Sequence, residues 1–153
     1  MMKRLLMLAA VLSLAACSLE VSDPYANTTP SDPATETFEP TLKIDISKMT
    51  KTEAGTYYKD VTVGTGATLS GAEVVVVSYK GVLKDGSQFT LVGDQTVPVA
   101  NLVGGLRDAM PGMKVGGERI IVVPSALGFG PVPRNGIPAN STLIFDVILK
   151  QIP

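Results

Sequence analysis

Histidine is absent from the 153 residues, and Cys17 is the one cysteine. Without imidazole or a second thiol, the chain has no His-based triad, no His or Cys metal site and no redox dithiol. A carboxylate-only metal site stays open, although no Asp-x-Asp-x-Asp-Gly calcium loop occurs. A net charge of −1 carries no basic excess, which argues against a nucleic-acid partner. One stretch stands out, VPSALGFGPVPRNGIPANST, which lies between the apolar runs IIVV and LIFDVIL. The loop inside this stretch, 125–141, has 17 residues with three glycines and three prolines. Most strand connections are much shorter, and a loop of this size in a compact domain is functional or disordered. Leu127, Phe129, Val132 and Ile137 argue for function, because a disordered tract lacks such side chains.

The elements that must position this loop read as strands. Leu42, Ile44 and Ile46 alternate with Lys43 and Asp45 and predict a short leading strand. Residues 57–63 predict a second, closed by a Gly64-Thr65-Gly66 turn. Residues 73–83 contain VVVV and run into Asp85-Gly86, a strong hairpin signal that puts Phe89 on the return strand. One helix is expected: Asn101 suits its N-cap, Leu102, Leu106, Ala109 and Met110 mark its apolar face, and Pro111-Gly112 stops it. The pair Gly104-Gly105 makes this a poor helix in isolation, so tertiary packing must supply its stability. Residues 118–123 and 142–152 are long hydrophobic strands. The sum is an α+β domain, an antiparallel sheet whose inner face packs on one short helix. The glycine pair at 64 and 66 lacks the third glycine and following helix of a dinucleotide site.

Read together, YYKDVTVGTGATLSGAEVVVVSYKGVLKDGSQF, MKVGGERIIVVPSALGFG and IPANSTLIFDVIL resemble successive segments of FKBP-type peptidyl-prolyl cis-trans isomerases, over about residues 55–152. The resemblance implies an FKBP-like fold, a twisted antiparallel sheet wrapped around one short helix, with an apolar pocket between them and the long loop as its flap. It assigns the pocket walls to Tyr79, Phe89, Phe129, Ile137 and Phe145, which are the implied catalytic residues. Thr90, Val97, Leu102 and Val103 are the implied substrate contacts, with Leu106 as the pocket floor. Four positions depart from the family pattern. Leu106 replaces the usual Trp, Phe129 the flap tyrosine, Thr90 the common Asp that accepts from Tyr79, and Val97 a strand aromatic. No cofactor is implied, and proline-containing segments of exported proteins are the implied partners, with macrolide inhibitors bound weakly.

The implied reaction breaks no bond to another atom. Rotating an X-Pro amide faces a barrier of about 18–20 kcal/mol because resonance is lost. The twisted amide has less charge separation than the planar one, so a dry pocket favours it, which is differential binding. Shortening tens of seconds to milliseconds takes ~10⁴-fold, or about 5.5 kcal/mol. Two rivals fit the same residues: a chaperone-like binding module with slow turnover, and an envelope lipoprotein that uses the fold structurally.

The N-terminus, MMKRLLMLAAVLSLAAC, reads as an export signal. Lys3 and Arg4 precede the apolar stretch 5–16, which is too short to span about 30 Å of hydrocarbon. Leu14-Ala15-Ala16-Cys17 resembles a bacterial lipobox, which implies cleavage before Cys17 and its lipidation. Ser18 after the cysteine implies the outer membrane where the organism has one. The expected domains are a signal peptide over 1–16, a disordered acidic Ser/Thr/Pro tether over 17–41, and the isomerase domain over 42–153 with its core from about 55. Of residues 18–41, 17 of the 24 are Ser, Thr, Pro, Asp or Glu, a composition too polar to offset chain entropy. The expected state is a lipid-anchored monomer at the cell envelope.

Overall fold

The valine- and isoleucine-rich runs form one antiparallel sheet in the computed structural model, which describes residues 29–90 and 93–153. The expected signal peptide, Cys17 and the tether up to residue 28 lie outside the described residues. The strands are β1 (Thr50–Lys51), β2 (Tyr57–Thr62), β3 (Val74–Leu83), β4 (Asp94–Pro98), β5 (Glu118–Val123) and β6 (Leu143–Gln151). Their spatial order is β1-β2-β5-β6-β3-β4. A single α-helix among the described residues, α1 (Gly104–Ala109), packs on one face. This is the antiparallel sheet packed on one short helix that the sequence predicts.

Central strand β6 explains the two layers. Leu143, Phe145, Val147 and Leu149 point to the inner face, where they join Val75, Val77, Ile121 and Val123 around Leu106 and Met110 of the helical segment. Ile144 points the other way, to an outer cluster with Tyr57, Val82 and Val122. Both sides of the strand are covered, so it reads as a continuous apolar run rather than an alternation.

The helix is shorter than predicted. Val99–Asn101 forms a 3-10 turn, Leu102 and Val103 are extended, and Val103 rather than Asn101 is the N-cap, with no side-chain capping bond. Gly104-Gly105 has a packing reason. A Cβ on Gly105 would sit 2.3 Å from Val123 Cγ1, so the backbone of α1 lies directly on β5 at a depth that only glycine permits. The entropy that glycine costs a helix is offset by burying Leu106, 2% exposed, and Ala109, 1% exposed.

Two expectations about the N-terminal part are corrected. Residues 42–46 form no strand: Pro40–Leu42 and Ile46–Lys48 are 3-10 turns, and Lys43 is left-handed at φ 52°. Leu42, Ile44 and Ile46 nevertheless face one way, together with Phe38 and Met49, onto the outer cluster of the sheet. Alternation reports one buried side, and here that side lies across the sheet instead of in its ladder. From Ser31 onward the expected disordered tether is a docked strap. Pro33 is buried, Glu36 pairs with Lys84 at 2.9 Å, and Glu39 N–H donates to Lys84 O at 2.8 Å. The Ser31 and Ser125 N–H groups each donate to the other's hydroxyl at 2.8 Å. Its polar composition hides Phe38, the one large apolar anchor that a disorder argument discounts.

Candidate active site

All ten predicted pocket residues line one cavity of about 500 Å³ between the inner sheet face, α1 and the flap. Tyr79 enters from β3, on the same side as Val75 and Val77. β3 itself is led in by a turn that Glu73 holds: its carboxylate accepts from Ser70 N–H, Ser70 Oγ–H and Gly71 N–H. These bonds lower its pKa to about 2. Phe145 comes from β6, where it pairs with Gly81 of β3. Leu106 of α1 supplies the floor, and Leu102 and Val103 the extended approach to the helix.

Phe145 organises the aromatic wall. Its ring meets Tyr79 at 6.1 Å and 72°, and Phe89 at 5.6 Å and 89°, both edge-to-face. Phe89 does not lie on a regular return strand as predicted. The hairpin closes at Asp85-Gly86, where Gly86 N–H donates to Leu83 O at 2.9 Å. After it, among the described residues, pairing consists of the bond from Leu83 N–H to Ser87 O at 2.8 Å, a bridge between Val82 and Gln88, and the bond from Phe89 N–H to Gly81 O at 3.1 Å. Among the described residues, ladder pairing with β3 resumes at β4. The interruption lets the Phe89 ring lie against Gly81, where a Cβ would approach within 2.6 Å of the ring.

The flap is ordered by its own turns. Ser125–Leu127 forms a 3-10 turn, and Ser125 O accepts from Gly128 and Gly130 N–H groups. Its tip is a two-residue hairpin: Arg134 and Ile137 exchange backbone bonds at 3.0 and 2.6 Å around Asn135-Gly136, with φ of 39° and 83°. Positive φ at both central residues is the geometry that Asn-Gly favours in hairpins. This hairpin turns Ile137, 7% exposed, into the cavity beside Phe129, while Val132 points away at 56% exposure.

Four lining residues were not predicted: Gln95, Asn101, Arg134 and Asn135. Gln95 was legible in principle. It lies two positions before Val97 on β4, and the two pair with Val77 and Val75 on the inner side of β3. Asn-Gly was an equally readable signal for the flap tip. Asn101, expected as a cap, lines the cavity instead.

Residues 66–150, more than half of the chain, match the family described as FKBP-type peptidyl-prolyl cis-trans isomerase. The chain belongs to this FKBP family. It is 35% identical over 105 residues to the FKBP-type peptidyl-prolyl cis-trans isomerase FkpA of Aeromonas hydrophila, covering 66% of this chain and 39% of that protein. It is 38% identical over 108 residues to FK506-binding protein 4 of Gibberella zeae, covering 67% of this chain and 22% of that protein. The chain therefore spans well under half the length of these relatives. The crystal structure of FkpA from Escherichia coli superposes with a TM-score of 0.63 at 31% identity, over 74% of this chain and 54% of that one.

Against the FKBP pattern, the departures at Thr90 and Phe129 have a structural sequel. Tyr79 Oη–H donates to Gln95 Oε1 at 3.3 Å, so a neutral amide stands where the family pattern has a carboxylate acceptor. The Phe129 ring lacks a hydroxyl and instead lies under the Arg134 guanidinium, 5.4 Å from ring centre to Cζ. Among the described residues no group of three or more His, Cys, Asp or Glu side chains could hold a metal ion.

Proposed function

We propose that the chain is a lipid-anchored FKBP-type prolyl isomerase that assists folding of exported proteins at the cell envelope. The observation that carries the reading is the convergence of the apolar and aromatic side chains of Tyr79, Phe89, Phe129, Ile137 and Phe145 on one cavity over Leu106. A proline ring entering it meets the edge-to-face wall around Phe145 and the Leu106 floor. The flap closes over the X-Pro amide, and the apolar walls strip water from its carbonyl. Removing that water destabilises the planar, charge-separated amide relative to the twisted one. Tyr79, fixed through Gln95, presents its ring at the rim. No proton moves and no covalent intermediate forms.

Exchange spectroscopy of an X-Pro peptide with the full chain tests the reading. Line broadening that scales with protein concentration and disappears on Phe145→Ala, in a variant whose fold is checked by circular dichroism, is the expected result. Binding without acceleration would favour the second reading, a chaperone-like module. That reading draws on Phe129, which offers no hydroxyl donor to the carbonyl, and on the uncharged acceptor of Tyr79. Macrolide inhibitors are expected to bind this cavity weakly for the same reasons. The envelope location rests on the lipobox-like Leu14-Ala15-Ala16-Cys17, with the protein acting as a monomer.

A further inference from the structure

Arg134 is the one charged side chain lining the cavity among the described residues. Three features fix it there. It is the hairpin partner of Ile137 across Asn135-Gly136, and directly paired residues project from the same side of a hairpin. Ile137 faces the cavity, so Arg134 does too. Its guanidinium rests on the Phe129 ring, a cation–π contact that restrains a long side chain. Among the described residues it forms no ion pair, a state it shares with Arg107 and most of the lysines, and it differs from them in lining the cavity. A cation held over an otherwise uncharged pocket, with no carboxylate of its own, is a place for a carboxylate of the ligand.

We infer that Arg134 is a specificity-determining residue that favours polypeptide segments with an acidic side chain next to the proline. The inference rests on the proposed proline-binding role of the cavity. The rim is polar but otherwise neutral, with Gln95, Asn101, Asn135 and Thr90, so no lining carboxylate competes with the ligand. A guanidinium meets a carboxylate through two parallel N–H donors, a geometry an ammonium lacks. Arg134 is exposed, so the preference is modest: about two- to five-fold, the range that solvent-exposed ion pairs give.

The test uses the full chain and a peptide series identical except beside proline: Glu-Pro, Gln-Pro and Lys-Pro, with Pro-Glu and Pro-Gln as the reverse placement. Isomerisation rate is read by exchange spectroscopy and affinity by chemical-shift titration. The expected result is a Glu-to-Gln ratio of about two to five in one placement, with Lys-Pro poorest. High salt should shrink the ratio towards one. Arg134→Gln should bring it to about one whatever happens to the absolute rate, and Arg134→Lys should restore part of it. A ratio of one in the parent for both placements, or a ratio unchanged in Arg134→Gln, overturns the inference. The two claims separate cleanly: turnover without charge preference removes only the role of Arg134. Tighter Glu-Pro binding without turnover removes only the isomerase reading.

Discussion

Thr90 and Phe129 stand where the FKBP pattern carries a carboxylate and a tyrosine, and Gln95 has taken over as acceptor for Tyr79. Exchanging a neutral acceptor for a charged one is worth about 1 kcal/mol, and about five-fold in rate if all of it reaches the twisted state. A hydroxyl at position 129 adds a donor placed in advance of the reaction, where electrostatic stabilisation is most effective. Thr90→Asp combined with Phe129→Tyr is therefore expected to raise turnover on a short X-Pro peptide and tighten macrolide binding. The two changes act on one ligand and need not add. A folded double variant no faster than the parent would show that these positions do not limit the site. Glu118 on β5 offers a second test at this scale. Burial, then the nearby Asp146 carboxylate, raise its pKa above the ordinary 4.5. A carboxyl raised on folding stabilises the protein fully below its unfolded value, and the benefit is lost as pH rises through the folded one. Glu118→Gln should thus raise the urea midpoint relative to the parent at pH 7, with the difference shrinking below about pH 4.5. A variant less stable than the parent at pH 7 would contradict this.

At the scale of elements, the strap decides what covers the outer face of the sheet. Phe38, Leu42, Ile44, Ile46 and Met49 lie over Tyr57, Val82, Val122 and Ile144, so the sheet is packed on both faces. The strap also reaches the site indirectly. Ser31 holds Ser125, and the Ser125 carbonyl accepts from Gly128 and Gly130 at the base of the flap. Phe38→Ala is expected to cost about 1–2 kcal/mol, below the value for a fully buried ring because the side chain is half-buried. Chemical denaturation of the full chain measures it. A loss below about 0.3 kcal/mol, within the usual range for surface substitutions, would mean that the strap does not contribute to folding. A fragment beginning at Leu42, which discards Phe38 and the Ser31 pair, should be less stable than the full chain, contrary to what a passive tether predicts.

At the scale of the whole molecule, a lipid on Cys17 would be separated from the first docked residue, Ser31, by 13 residues. Fully extended, that spacing reaches at most about 50 Å, so the membrane would lie within reach of the flap end of the domain. Cys17→Ser should move the protein out of the membrane fraction and abolish acyl labelling, while unchanged membrane association would remove the anchor from the proposal. β3, β5 and β6 were legible in the chain as apolar runs, but their inward and outward sides were not, because both faces are covered and no alternation remains. The ten pocket positions were legible through family-like segments, not through periodicity. Pattern alone names a buried side without naming what covers it. That is why residues 42–46 read as a strand when they lie across the sheet, and why Phe38 disappeared into a polar segment. Asn101 and Arg134 became lining residues only when the approach to α1 and the flap hairpin closed around one cavity. Their place is set by contacts between distant parts of the chain, through register and crossing of elements, which tertiary packing alone decides.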